Sequence, residues 1–266
     1  MGAPLDKPLK IGSLQLTSRL LMGSGRYASH QEMIACLDAS GSELITVAVR
    51  RVNLDQRAGT SLLDHIDRKR FQILPNTAGC YTVADALRTA RLARELLDTP
   101  LIKLEVIGDP RTLLPDPLGT VEATKILVAE GFHVMAYCSD DPRLVATLAD
   151  AGAAAVMPAG SPIGSGRGVS NPGNIEIARS LVDLPLIVDA GLGTASDVAQ
   201  AMELGADGVL LNSAVAGAED PERMARAMKF ACCAGRDAYL AGRMPSRLHA
   251  QASSPEAGLL GEALSS

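Results

Sequence analysis

Two ionisable residues stand two positions apart inside an otherwise apolar run, Leu101-Ile102-Lys103-Leu104-Glu105-Val106. An extended chain alternates its side chains between two faces. Ile102, Leu104 and Val106 therefore share one face, and Leu101, Lys103 and Glu105 share the other. If the wholly apolar face meets a layer of helices, Lys103 and Glu105 point to the inside of the sheet. Such groups are costly to bury unless they are paired or used. An inward amine beside an inward carboxylate suits imine chemistry: the amine attacks a ketone and the carboxylate shuttles protons. A structural ion pair is the alternative reading. Asp189, at the end of the run Leu-Pro-Leu-Ile-Val-Asp (184–189), reads as a further acid/base group, or else as the cap of the next helix.

Turns of small residues supply candidate anion cradles. Gly191-Leu192-Gly193-Thr194 follows one strand candidate and opens a helix, and Asn212-Ser213-Ala214 follows the next. Backbone N–H groups at such turns and at helix N-termini hold phosphate. A third Gly-rich stretch runs from Gly160 through Gly164 and Gly166 to Gly168, and reads either as a cradle or as a surface loop. The paired Arg50 and Arg51 are read either as solvated or as an anion or partner contact. Cys80 has no histidine near it in the chain, and His30, His65, His133 and His249 lack metal-ligand spacing. These residues are read as structural or surface groups, and neither a metal nor a cofactor is expected.

These residues need a scaffold that brings distant turns to one face. Eight short strand candidates cover 19–23, 43–49, 71–76, 101–106, 132–138, 153–158, 184–190 and 207–212. Ala/Leu-rich stretches with helical spacing follow them, most clearly at 82–98, 118–130, 141–151, 195–204 and 220–240. Gly152 and Gly205 are placed to end two of these helices. The helix after the second strand is the least marked. Eight β/α units in one chain predict an α/β fold, a (β/α)8 TIM barrel, rather than an open doubly wound sheet. The catalytic end is then the carboxyl end of the strands. The segment 9–16 reads as a small hairpin over the barrel floor. Residues 1–250 are predicted to form this single barrel domain, and 251–266 a small, polar tail that is mobile when free.

Bulk properties agree. The 266 residues match one barrel, and 47% of them are hydrophobic, enough to fill a large core. With 3% aromatic residues and no Trp, that core must be aliphatic, as suits a sheet buried on both faces. The net charge of -5 gives no reason to expect nucleic acid. The 5 Cys have no C-x-x-C pair, which argues against disulfides or zinc. Neither a signal sequence nor a membrane span is evident, so a cytoplasmic protein is expected.

Several stretches together resemble the bacterial thiazole synthases of thiamin biosynthesis, the ThiG family. They are MGSGRY (22–27), TVAVRRV (46–52), LPNTAGC (74–80), IKLEVIGD (102–109), MPAGSPIGSGRGVSN (157–171), VDAGLGTASD (188–197) and ADGVLLNSAVAGAEDP (206–221). The resemblance runs from about residue 9 to 245, and NTAGC, IKLEV and SPIGSG in combination are its most specific part. Ala159 and Val49 depart from the expected apolar residues without touching a catalytic position.

The resemblance implies a sulfur-transferring enzyme. It would join 1-deoxy-D-xylulose 5-phosphate, dehydroglycine and the sulfur of a thiocarboxylated sulfur carrier protein into a thiazole phosphate. It implies that Lys103 forms the imine and that Glu105 and Asp189 are the acid/base carboxylates. Gly164, Ala190, Gly191, Asn212 and Ser213 would contact the sugar phosphate, with Gly193 in the same turn. A homotetramer and a complex with the dehydroglycine-producing enzyme belong to the same expectation. Another lysine-imine barrel of the class I aldolase kind would share Lys103 but need no sulfur donor. A non-catalytic phosphosugar-binding barrel would need no free amine there. For Lys103 to act as a nucleophile, desolvation is expected to outweigh its anionic neighbour, or Glu105 to carry a proton before substrate binds.

Overall fold

A computed structural model describes residues 6–51, 62–251 and 253. The chain opens with an antiparallel hairpin, β1 (Leu9–Ile11) and β2 (Leu14–Leu16). Eight parallel strands follow: β3 (Leu20–Gly23), β4 (Leu44–Ala48), β5 (Gln72–Asn76), β6 (Leu101–Leu104), β7 (His133–Cys138), β8 (Ala155–Pro158), β9 (Ile187–Asp189) and β10 (Gly208–Leu211). They pair in the order β8-β7-β6-β5-β4-β3-β10-β9. A parallel bridge between Val156 and Leu186 brings the two edges together, which closes the ring of a (β/α)8 barrel.

The helices are α1 (His30–Ser40), α2 (Val83–Leu97), α3 (Pro117–Ala129), α4 (Pro142–Asp150), α5 (Pro172–Leu181), α6 (Ala195–Glu203), the single turn α7 (Ser213–Ala216) and the long α8 (Pro221–Ala241). Their starts carry local signals. Ser29, Thr82, Asp116 and Asp141 accept from backbone N–H groups of the first turns they cap. Proline opens α3, α4, α5 and α8, where its missing N–H has no intrahelical acceptor to lose. Gly152 and Gly205 stand at φ 90° and 97° just past α4 and α6, the left-handed exits anticipated for them. Between β4 and β5 the described residues hold only short 3-10 turns, Val49–Arg51 and Leu62–His65. The remainder of that connection, residues 52–61, lies outside the described residues. The expected tail from 254 onward also lies outside them. Among the described residues no helix is long and apolar enough to cross a membrane.

Strand alternation sorts the apolar residues into two cores. Ile102, Leu104 and Val106 are buried in the outer one, with Ala123 and Leu127 of α3. The inner one combines Leu21, Leu44, Leu74, Leu101, Met135, Ile187 and Leu210 from the barrel with Leu9, Ile11 and Leu16 from the hairpin. The hairpin therefore stops the amino-terminal end of the barrel. Each of its three buried side chains contributes about 1.5–3 kcal/mol by leaving water. The carboxyl end is the open one.

Candidate active site

The inward residues of β6 climb from Leu101, in the inner core, to Lys103 and Glu105 at the mouth. The ladder with β5 has one register pair, Asn76 with Lys103. The strand stops at Leu104, two residues short of the predicted end, because a side chain takes over from the ladder. The fully buried Thr77 donates its hydroxyl to the Glu105 carbonyl at 2.8 Å, and its oxygen accepts the Glu105 N–H at 2.7 Å. Glu105 is thus held in line with Lys103, beyond the strand but on the same face.

Lys103 Nζ lies 2.5 Å from Asp189 Oδ2 and 3.2 Å from Glu105 Oε1. All three residues are buried, at 7%, 4% and 6% exposure for Lys103, Asp189 and Glu105. The ring of Tyr137, inward on β7, has its centroid 5.7 Å from the ammonium. Burial pushes the Lys103 amine down, but the nearby Asp189 and Glu105 carboxylates outweigh it and hold Lys103 above the ordinary lysine value. Burial pushes Glu105 up. The Lys103 cation opposes that rise and the Asp189 anion reinforces it. Of the two expectations for the amine, that desolvation outweighs its anionic neighbour runs against the two carboxylates that meet the cation, whereas the upward push on Glu105 leaves its protonation open. At rest the ammonium faces Asp189 at 2.5 Å, and the Glu105 carboxyl is pushed above the ordinary glutamate value.

Above this triad opens a cavity of about 700 Å³. Lys103, Glu105 and Asp189 form part of its lining, as do Gly164, Ala190, Gly191, Gly193, Asn212 and Ser213, so every site residue chosen from the sequence reaches one space. The chain turns sharply at the end of β9, with Ala190 at φ 78° and Gly191 at φ 83°. A Cβ on Gly191 would stand 2.3 Å from the Ser161 nitrogen, so only glycine fits between the two loops. Gly160 N–H donates to the Ala190 carbonyl and Gly168 N–H to the Gly191 carbonyl, at 3.2 and 2.9 Å. These bonds stitch the loop after β8 to the turn after β9.

The 191–194 turn is less free than its composition suggests. The N–H groups of Gly193 and Thr194 both donate to Asp197 Oδ2, at 2.9 and 3.1 Å. The Thr-Ala-Ser-Asp pattern at 194–197 is the sequence signature of that cap. By contrast, Ser213 and Ala214 lie in the first turn of α7, whose N–H groups have no intrahelical acceptor. Asn212 Oδ1 is buried without a donor.

Other sequence candidates fall outside this space. Arg50 donates to the Gly79 carbonyl at the surface and does not line the cavity. The side chain of Arg51 lies outside the described residues. Cys80 is buried with its sulfur 3.4 Å from Thr89 Oγ1. His30 and His65 stack on each other, with ring centroids 4.2 Å apart.

Two further lining residues can donate hydrogen bonds to a ligand, and neither has a role assigned from the sequence. Arg26 holds a left-handed backbone, φ 70°, and its Nη1 lies 3.9 Å from where a Cβ on Gly164 would stand. Among the described lining residues, Lys103 and Arg26 are the cations, and Arg26 pairs with no described carboxylate. Asn76, at the end of β5, is the second. Period-2 alternation along 71–76 could have marked Asn76 as inward. Nothing local marks Arg26.

A family model described as thiazole biosynthesis protein ThiG matches residues 10–255. The thiazole synthase of Thermodesulfovibrio yellowstonii is 57% identical over 256 residues, covering 96% of this chain and 100% of that one. The thiazole synthase of Geobacter sulfurreducens is 58% identical, covering 98% and 100%. Among solved structures, a chain of the Amycolatopsis orientalis BexX/CysO complex superposes with a TM-score of 0.82 at 36% identity, covering 92% of this chain and 100% of that chain.

Proposed function

The chain belongs to the ThiG family of thiazole biosynthesis proteins, and from that premise we propose that it condenses 1-deoxy-D-xylulose 5-phosphate, dehydroglycine and sulfur from a thiocarboxylated carrier protein into a thiazole phosphate, through an imine on Lys103. The observation that carries the reading is the amine of Lys103, buried below an open cavity and bracketed by two carboxylates.

Asp189, the nearer base, takes the ammonium proton, and the freed amine attacks the ketone carbon. The carbinolamine loses water to give the imine. The imine acidifies the adjacent C–H, and Glu105, whose raised pKa brings it closer to neutrality, moves that proton. The electron pair returns through the enamine and a new carbonyl forms beside the original one. The carrier's thiocarboxylate sulfur attacks this carbonyl. The carrier's acyl group passes from sulfur to the resulting alkoxide, and the carrier leaves as its carboxylate with that oxygen while sulfur stays as a thiocarbonyl. Dehydroglycine then supplies nitrogen and carbon for ring closure, its nitrogen replacing the Lys103 amine at the former ketone carbon.

The sugar phosphate sits among the loops after β8, β9 and β10. Gly164, Ala190, Gly191 and Gly193 form its wall, the N–H groups of Ser213 and Ala214 are its donors, and Arg26 is its cation. A buried acceptor without a donor costs about 1–3 kcal/mol, so a sugar hydroxyl on Asn212 Oδ1 offsets an existing penalty. The carrier's extended tail enters from the open end, since the hairpin stops the other. The relative solved in the BexX/CysO complex supports a carrier-protein partner for this chain. A cytoplasmic homotetramer that also contacts the dehydroglycine-producing enzyme belongs to the same reading, and light scattering of the purified components checks the assembly.

The test is mass spectrometry after borohydride reduction with the ketose phosphate. A stable adduct mapping to Lys103 is expected. An adduct on another lysine, or none, overturns the reading.

A further inference from the structure

Attack on a ketone puts negative charge on the carbonyl oxygen before any leaving group departs, so the site needs a neutral or positive donor aimed at that oxygen. The triad is poorly suited to supply it. Asp189 and Glu105 are acceptors when ionised, and the Lys103 nitrogen is the attacking atom. Arg26 stands over the loop after β8, at Gly164. A fixed donor next to Lys103 must come from a neighbouring strand.

Asn76 occupies that place. It ends β5 directly opposite Lys103 in the parallel register, and neighbouring strands lie roughly 4.8 Å apart. Asn76 is 8% exposed, and it lines the cavity that holds Lys103, Glu105 and Asp189. The Ala78 N–H donates to Asn76 Oδ1 at 3.2 Å. That bond fixes which end of the amide is which, because a backbone N–H requires the oxygen. Nδ2 makes no hydrogen bond to any described residue, and it is not among the sealed polar atoms that lack a partner. With Asn76 in the cavity lining and in register with Lys103, the two N–H groups of Nδ2 are the ones available to a ligand there.

We propose that Asn76 donates through Nδ2 to the ketone oxygen of the substrate as Lys103 attacks, making it a catalytic residue for carbinolamine formation and dehydration. The proposal rests on the imine reading above. In the step itself the N–C bond forms and the carbonyl π bond opens onto oxygen. The Asn76 N–H stabilises that oxygen, and a proton from the Lys103–Asp189 pair converts it to hydroxyl. A second proton from the Lys103 nitrogen, passed by the same carboxylate, lets it depart as water and leaves the protonated imine. Asn76 is neither consumed nor ionised. The amide's rigidity matters because a donor already oriented needs no rearrangement when the charge develops.

The experiment is rapid-quench borohydride trapping of the full-length protein with 1-deoxy-D-xylulose 5-phosphate, comparing wild type, Asn76→Asp, Asn76→Ala and Lys103→Ala, with ketose-phosphate affinity measured by calorimetry. Asn76→Asp keeps an oxygen for the Ala78 N–H and removes the donor, so it separates donation from loop support. Trapping at saturating ketose is expected to slow by about 10²–10³-fold in both Asn76 variants. The dissociation constant is expected to stay within threefold and the final adduct mass to stay unchanged. Wild-type trapping rates in either Asn76 variant overturn the proposal, as does an affinity loss equal to the rate loss, which marks a merely structural role. Absence of a wild-type adduct, or an adduct persisting in Lys103→Ala, refutes the imine reading instead.

Discussion

Replacing Lys103 by Met tests whether three charged groups share one buried centre. The substitution keeps the length of the side chain and removes the cation that both carboxylates face. Glu105 Oε1 and Asp189 Oδ2 lie on the same nitrogen at 3.2 and 2.5 Å. They are therefore at most about 6 Å apart, and at an effective dielectric near 20 two anions at that separation repel by about 3 kcal/mol. Breaking a buried ion pair by removing one partner costs about 3–5 kcal/mol in general, so the variant should lose a comparable amount at pH 8. Part of this returns in acid, because one carboxylate then takes a proton. The sign follows from the folded-state shifts. Glu105 is already raised in the wild type, so its contribution is fully present below the ordinary glutamate value and is lost as pH rises through the folded value. Removing the Lys103 cation removes the influence that opposes that rise. Lys103 itself is raised, so its contribution in the wild type is constant below the ordinary lysine value and fades only in strong base. Urea unfolding of both proteins at pH 8 and pH 5.5 reads the difference. The gap between them should narrow by about 2–3 kcal/mol on acidification, and Lys103→Met with Glu105→Gln should recover a similar amount at pH 8. A Lys103→Met protein as stable as wild type at pH 8, or a gap that does not change with pH, refutes the argument.

Lys103→Arg keeps the charge beside Asp189 but removes the proposed nucleophile, because a guanidinium stays protonated; borohydride trapping should vanish while the thermal midpoint stays close to wild type. Glu105→Gln should still yield the trapped imine while product formation falls by about 10²–10⁴-fold, as a lost general acid/base predicts. Gly191→Ala drives a Cβ to 2.3 Å from the Ser161 nitrogen at φ 83°, so it should destabilise by more than about 2 kcal/mol in chemical denaturation. Ala190→Gly next to it should change stability by less than about 1 kcal/mol, because it relieves a left-handed alanine. Arg26→Ala should raise the KM for the ketose phosphate by roughly tenfold or more, a loss of about 1.4 kcal/mol or more, with a smaller effect on kcat; an unchanged KM removes Arg26 from the phosphate pocket.

The barrel was legible because its signals are local and repeated. Period-2 alternation in 101–106 separates the helix-facing apolar residues from Lys103 and Glu105 on geometry alone. The same alternation, with caps and glycines between elements, recurs along the chain and admits few closed topologies. The position of Asp189 and of the small-residue turns at strand ends followed from the fold class. Tertiary structure decided what these groups do to one another. Asp189 is 86 positions from Lys103, yet β9 delivers its oxygen to 2.5 Å from the amine and reverses the balance that burial alone would set. Asp197 claims the N–H groups of Gly193 and Thr194, so a turn with the composition of an anion cradle spends two donors on its own helix. Arg26 meets Gly164 only because loops far apart in the chain converge on one mouth, and Asn76 faces Lys103 only through the β5–β6 register. Alternation and capping act over a few residues and can be read along the chain. Coulomb energies and hydrogen bonds depend on distances of a few ångströms, and those are set by closing the barrel.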